Sequence, residues 1–583
     1  MQVDNNRNMI LAIVLSAFVL LGWSAVSERY FPAPKPVPAA IAAGTESVST
    51  VPGAVPAVIK PAIRDVKTVL SEGSRVKIET PLIRGSINLR GAQIDDIVLP
   101  THTETLAKDS PPVRLLTPSG AKDSYFAGYG WMGDGVSVPG AETVWAADRA
   151  TLTPATPVKL RWDNGAGQTY ALKISIDDKY MFSVEQSVTN TGTGAVGIRP
   201  YAFVNRVKGA HAGGSMLAPT KDVDSWTMHI GPVGAFNGAA NYDVDYDDID
   251  SAGATGQRFQ TKGGWLGFGE TYWLAALVPP QGASVDAGFR AGGGSYQAEF
   301  LMPQSVLAPG KALTTTSQLF AGAKEVNALD GYQDAGIPLF GKAIDWGWFE
   351  IIEKPIFKLL SFLFNLFGNF GFAIIAMTFI VRGLMFPIAQ RQFASMASMR
   401  AVQPKLKVLQ ERYKEDKPRL QQEMMKLYQA EKINPLGGCL PIFIQIPIFY
   451  ALYKVLMLSI EMRHQPFIGW IKDLSAPDPA NLMTAAHYMG ADWFPAFLGI
   501  GVLSGLLGVT MWMQFKLNPA APDPVQQQIF SIMPWIMMFM MAPFAAGLQL
   551  YWVVSNLLTI AQQKWLYSKH PALKEPLISV AKK

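Results

Sequence analysis

The chain has 583 residues, 49% of them hydrophobic and only 16% charged, with a formal net charge of +5. That length calls for more than one domain, and the one cysteine, Cys439, excludes a disulfide framework or a cysteine metal cluster within the chain. Very apolar runs lie at the N-terminus and from Phe370 onward, whereas the stretch between them has the composition of an ordinary water-soluble domain.

Met9 to Val26 is the first apolar run. A cleaved signal peptide would show a basic n-region and an A-x-A-like site. Here a lone Arg7 precedes a long core that runs into "SERYF", so a retained transmembrane anchor over 1–30 is the expectation. Residues 31–63 are rich in Pro, Ala, Val and Ser without periodicity and read as an extended tether. From 64 to 341 the pattern is β. In "TYALKISIDDKYMFSVEQSVTNTGTGAVGI", Leu172, Ile174 and Ile176 alternate with polar residues. Phe182, Val184 and Gln186 do so less cleanly, and Asp177-Asp178 and Asn190 to Gly194 supply turn chemistry. Such strands recur throughout, which predicts a large antiparallel sandwich. In "NYDVDYDDID" the spacing of Asp243, Asp245 and Asp247 starts like a calcium loop. Asp248 stands at the required Gly and Ala254 at the bidentate Glu, so this stretch reads as a solvated acidic strand or loop. The histidines show no zinc spacing, and no metal or cofactor is expected.

Residues 342–368 carry Trp346, Trp348, Glu350, Glu353, Lys354, Lys358 and Pro355. They are too charged for a comfortable span and read as an amphipathic helix in the membrane interface. Hydropathy then places five spans near Phe370–Ile388, Cys439–Ile460, Trp493–Phe515, Gln528–Pro543 and Phe544–Gln562, the last two as a tight hairpin around "APFAAG". With the first anchor this makes six. The segment 389–438 reads as a helical hairpin broken at "KEDKP", with Asp416 capping its second helix and Pro418 in the first turn. Met396, Met399, Met424 and Met425 either offer an adaptable apolar surface or pack the hairpin together. Arg391 to Lys432 holds about ten basic against about five acidic residues, which makes it cytoplasmic. The remaining spans fill 439–565, and the basic tail 566–583 also falls inside. The β domain falls outside, with both termini cytoplasmic.

One charge interrupts the second span. Arg382 sits in "MTFIVRGLMFP", where a central charge costs about 2.5–3.5 kcal/mol even on the lenient insertion scale. It either snorkels to the inner headgroups or faces a wet cavity. Thr378 shares its helix face, and Gln445, Ser504, Thr510, Gln549, Ser555, Asn556 and Thr559 place uncharged polar groups in most other spans. Each taken alone reads as a helix-to-helix hydrogen bond. No intramembrane acid is available to neutralise Arg382, and an unpaired arginine in a dry bundle is very costly, which favours water reaching it.

The stretches "TFIVRGLMFP", "KINPLGGCLPIFIQIPIFYALY", "DLSAPDP" and "LYWVVSNLLTIAQQ" closely resemble the YidC membrane protein insertases, in the Gram-negative form with a large periplasmic domain. The resemblance implies a polytopic α-helical inner-membrane protein with a five-helix core and a periplasmic β-supersandwich. It implies an insertase and chaperone for nascent membrane-protein clients in the lipid bilayer, acting alone or with the Sec translocon. It also implies the ribosome and the signal-recognition-particle receptor as candidate partners of the cytoplasmic hairpin and tail. The family's hydrophilic groove maps onto Arg382 and Thr378, with Gln445, Tyr551, Ser555 and Asn556 beside them. The family's aromatic near the start of the last span falls on Trp552. Ile444, Pro447, Met533 and Met537 are candidates for the surface along which a client helix slides. The resemblance implies an insertase without a covalent catalytic site rather than an enzyme, and with no P-loop present no nucleotide hydrolysis is expected. A secondary transporter would need an inverted repeat or an intramembrane acid, and a carbohydrate enzyme rests on the β fold alone.

Overall fold

The computed structural model describes residues 64–208, 228–414, 416–431, 440–481, 499–517 and 524–569. The expected first anchor (1–30), the tether (31–63), Cys439 and the tail beyond 569 lie outside the described residues.

The alternating pattern becomes a two-sheet sandwich. Strand Gln168–Ile176 pairs antiparallel with Met181–Asn190, Val184 opposite Ile174, and Leu172, Ile174, Phe182, Val184 and Val188 all point into the core. The turn between them closes on Asp177, whose Oδ1 accepts from the backbone N–H groups of Lys179 and Met181 at 2.9 and 3.0 Å. At the other end, the amide nitrogen of Asn190 donates to the Gly194 carbonyl at 2.8 Å. These strands belong to a 9-stranded sheet, which faces an 11-stranded one. Aromatic rings cross between the two, with Trp131 edge-on to Tyr170 at 5.2 Å and Tyr125 edge-on to Phe268 at 6.5 Å. Gln186, the polar residue at a core position, donates from Nε2 to the Gly130 carbonyl of the opposite sheet at 2.8 Å. A buried amide needs such a partner, and this one ties the sheets together. Not every pairing is antiparallel: Arg75–Glu79 runs parallel to Thr151–Leu152.

Helix α1 (Val66–Leu70) leads into the sandwich. The acidic stretch expected as strand or loop instead forms helix α2 (Tyr246–Ala252). Asp245 accepts from the Asp248 N–H at 2.8 Å, and Asp248 accepts from the Asp245 N–H at 3.2 Å. This reciprocal cap places the acids at the positive helix end, so they serve as helix starters. Helix α3 (Val326–Asp334) closes the domain.

Helix α4 (Glu350–Phe367) ends at Gly368, left-handed at φ +66°. The next residue, Asn369, caps helix α5 (Phe370–Leu384) by accepting from the Gly371 and Phe372 N–H groups. The span expected over Phe370–Ile388 does not run straight. It breaks at Met385, and the chain turns by 60° into helix α6 (Phe386–Arg412). Pro387 explains this: with no N–H it cannot donate to the Gly383 carbonyl, which its ring also crowds, so α5 ends, while proline fits the first turn of a new helix. Helix α6 then continues for 27 residues into the expected hairpin, so no helix boundary falls at 388–389. The break at "KEDKP" leads to helix α7 (Lys417–Ala430), where Asp416 accepts from the Arg419 N–H at 3.1 Å. Val402, Leu406, Tyr428 and the partly buried Met424 pack the hairpin together, whereas Met425 is exposed.

The remaining helices are α8 (Leu440–Leu458), α9 (Val502–Leu517), α10 (Pro524–Met541) and α11 (Ala546–Lys569). Helix α11 is the hub and packs on α5, α6, α8 and α9, while α4 packs on α5 and α8. The expected tight hairpin of the last two helices is not seen among the described residues. Both α10 and α11 pack on α9 and share no extended contact with each other. No single described helix is long and apolar enough to cross a membrane, though the bent pair Phe370–Leu384 and Phe386–Phe393 qualifies jointly. Helix α9, at 16 residues, reaches about 24 Å against a hydrocarbon core of about 30 Å. Six spans therefore do not follow from the helix lengths.

Candidate functional site

Arg382 lies in the last turn of α5, next to the break at Met385. A cation is favoured at that end of a helix, and the bend leaves its side chain half-buried. Its Nε donates to Ser555 Oγ of α11 at 2.9 Å, and its Nη2 approaches the same oxygen. One turn earlier on α11, Tyr551 is buried and lies within electrostatic reach of Arg382 and Ser555. The amide of Gln445, from α8, donates to the Tyr551 hydroxyl at 2.7 Å. Three helices thus meet in one polar cluster of Arg382, Ser555, Tyr551 and Gln445. Among the described residues no carboxylate acts on Arg382, and the Tyr551 hydroxyl beside it is neutral. A guanidinium has five donors, and here two of them converge on a single hydroxyl.

The other expected residues sit nearby but outside this cluster. Thr378 is fully buried and spends its hydroxyl on the Ile374 carbonyl of its own helix at 2.7 Å. Asn556 donates to Thr510 Oγ1 at 3.2 Å and joins α11 to α9. Trp552 points elsewhere than Tyr551, since adjacent helical residues diverge by about 100°, and packs edge-on to Phe449 at 4.7 Å. Of the slide candidates, Pro447 lies inside α8, and Met533 and Met537 are half-buried on α10. Ile444 is on α8, and its side chain is outside the described residues.

The sequence reading missed a second buried cation. Lys454 on α8 is buried and donates from Nζ to the Asp345 carbonyl at 2.7 Å. Glu353 on α4 is fully buried close by, and burial pushes its carboxyl up to about 7, with Lys454 opposing. The signal was present in "LYKVL", a lysine inside an apolar run. It also missed how the β domain meets the helices. Arg463, after α8, donates to the Thr103 and Glu104 carbonyls at 2.8 and 3.2 Å and lies over the rings of Tyr272 and Trp273. Glu461 accepts from the Val326 N–H at 3.0 Å, and burial pushes its carboxyl up to about 7.

A β-rich domain joined to helices that bury several polar groups and turn large apolar side chains outward defines a membrane protein with a large extramembrane domain. Residues 75–359 match the family model described as the YidC periplasmic domain, and residues 362–573 match the model described as the 60Kd inner membrane protein. The chain is 47% identical to the membrane protein insertase YidC of Zymomonas mobilis, over 98% of this chain and 96% of that one. It is 42% identical to that of Granulibacter bethesdensis, over 98% and 99%. With the insertase of Methylobacterium radiotolerans it shares 41% identity over 96% and 94%. A crystal structure of an active YidC insertase aligns with a TM-score of 0.36 at 17% identity, over 84% of this chain and 92% of that one. The chain belongs to the YidC membrane protein insertase family, and its place is the bacterial inner membrane.

Proposed function

We propose that this protein inserts client membrane proteins through a hydrated groove centred on Arg382, Ser555, Tyr551 and Gln445, with Thr378, Asn556 and Trp552 in its walls. The observation that carries this reading is the half-buried guanidinium bonded to a neutral hydroxyl, with no carboxylate acting on it among the described residues. Such a charge between apolar helices is sustained by water. A polar segment of a client entering beside it keeps part of its hydration, and the fixed positive charge favours acidic segments. The client's apolar helix partitions into lipid and gains burial free energy. Helix α10, with Met533 and Met537, and α8, with Pro447, offer the apolar surface for its exit, and Ile444 of α8 is a further candidate by sequence.

In this reading the chain has six spans with both termini cytoplasmic, works alone or beside the Sec translocon, and meets ribosomes or the signal-recognition-particle receptor through the α6–α7 hairpin and the tail. No covalent chemistry or nucleotide hydrolysis is required. The test is insertion in a depletion strain at matched expression. Arg382→Lys, which keeps the charge, is expected to retain insertion. Arg382→Ala is expected to impair clients with charged translocated segments selectively. Equal insertion of those clients by wild type and Arg382→Ala removes the role of the charge. Crosslinking of a stalled nascent chain from positions 378, 382 and 552 then maps which walls the client touches.

A further inference from the structure

The segment "DLSAPDPAN" holds a carboxylate for which the insertion mechanism above has no use. Asp478 is buried at 1% exposure. Its Oδ1 accepts from the Trp470 indole N–H at 3.0 Å and from the Ala480 N–H at 3.0 Å. Its Oδ2 accepts from the Leu503 N–H at 2.8 Å. Leu503 is the second residue of α9, so its N–H is one of the four that a helix leaves unpaired. Asp478 thus caps α9 from another loop, with its carboxylate at the positive helix end. The contact is close-packed: a Cβ added to Gly501 would fall 2.7 Å from the Cβ of Asp478.

The same loop holds α11. The Ala476 carbonyl accepts from the Ala546 N–H at 2.7 Å, and the Leu474 carbonyl accepts from the Gly547 N–H at 2.9 Å. Helices α9 and α11 are the pair joined by Asn556 and Thr510, and α11 carries Ser555 and Tyr551. Their N-termini lie on the side of the β domain, because the segment leading into this loop is fastened to that domain through Arg463. We infer that Asp478 is a positioning residue that closes the outer end of the Arg382 site by holding the N-terminus of α9 to the loop whose Leu474 and Ala476 carbonyls hold that of α11. Without that hold the two helices part at their outer ends, and water reaches the polar cluster from the periplasmic face. This inference rests on the groove reading.

The test uses the full chain with Cys439→Ser and a reporter, Gln445→Cys, at a half-buried position beside the Arg382–Ser555 contact. A membrane-impermeant maleimide is applied to spheroplasts, which expose the outer face, and to inverted membrane vesicles, which expose the cytoplasmic one. With Asp478 intact, labelling is expected only in inverted vesicles. Asp478→Ala is expected to raise the labelling rate in spheroplasts about tenfold, the population change that loss of such a cap gives. Gly501→Ala, which displaces Asp478 without removing it, is expected to do the same and carries the test if Asp478→Ala fails to accumulate. A plain structural cap lowers the melting temperature but leaves the sidedness unchanged. Outside labelling at the parent level in the accumulating variants, with cytoplasmic labelling retained, overturns the inference and leaves the groove standing. A parent reporter that resists the reagent from both faces overturns the groove reading itself.

Discussion

The two halves of this chain present different surfaces: both bury apolar side chains, Leu452, Val455 and Leu456 among them in the helical half, but that half also turns a belt of them outward. In the sandwich the large apolar side chains are inside: Trp131, Trp265, Phe182, Phe268 and Phe320 are almost wholly buried. Among its buried charges Arg206 pairs with Glu270 and Arg290 with Glu299. In the helical half Leu384, Trp535, Ile536 and Phe539 face outward, while Thr378, Ser504, Gln549, Ser555 and Gln563 are buried. A contiguous apolar exterior of this kind is untenable in water and is what lipid selects. With no hydrophobic drive between helices in lipid, polar contacts and close packing hold the bundle. The contrast teaches that the solvent, more than the fold, decides which side chains face out.

The largest effect that sharpens this contrast is expected at Trp265. Trp265→Ala leaves a cavity in the sandwich and should cost about 3–5 kcal/mol, read as trypsin sensitivity of the β domain while the helical half resists. Arg463→Ala removes two charged hydrogen bonds and the stacking on Tyr272 and Trp273. A cost of about 1–3 kcal/mol at the junction is expected. Spin-label distances between the halves should broaden while the melting of the β domain stays unchanged; an unbroadened distribution would show that the junction does not depend on Arg463. Tyr551→Phe deletes the acceptor for Gln445 and should lower bundle stability by about 1 kcal/mol, measured by thermal unfolding in detergent.

A smaller effect is expected at Glu461, whose carboxyl is held up at about 7 by burial. Between its ordinary value and 7 the folded state binds more protons than the unfolded state, so stability falls as pH rises through that window. Glu461→Gln should flatten the slope of melting temperature between pH 5 and pH 8. Glu353, pushed up in the same way, keeps it from vanishing. A slope unchanged by Glu461→Gln would assign the titration elsewhere. The smallest effect is expected on the outer belt: Ile536→Ala should shift detergent stability by less than about 0.5 kcal/mol, and a shift comparable to that of Trp265→Ala would break the contrast.

Much of the architecture was legible because it rests on local periodicity. Alternation at Leu172, Ile174 and Ile176 gave strands, and Asp416 with Pro418 marked a helix start. Local signals misled where one motif serves two structures. The acids around Asp245 had the look of a solvated loop and instead form a capping box. The run through Arg382 has the hydropathy of one span, yet Pro387 divides it. The helices after α8 could be counted from hydropathy, but their neighbours could not, since nothing in "APFAAG" says that α9 lies between α10 and α11.

The sequence by itself determined the two-part organisation, the turn and cap chemistry and the presence of a lone arginine among apolar helices, because each depends on residues close together in the chain. Only the tertiary structure decided that Arg382 meets Ser555, that Tyr551 rather than Trp552 joins them, that Arg463 fastens the β domain, and that Asp478 caps a helix beginning more than twenty residues later. Those partners are set by how helices and sheets pack, and a hydrogen bond between distant residues leaves no periodic trace in either segment that makes it.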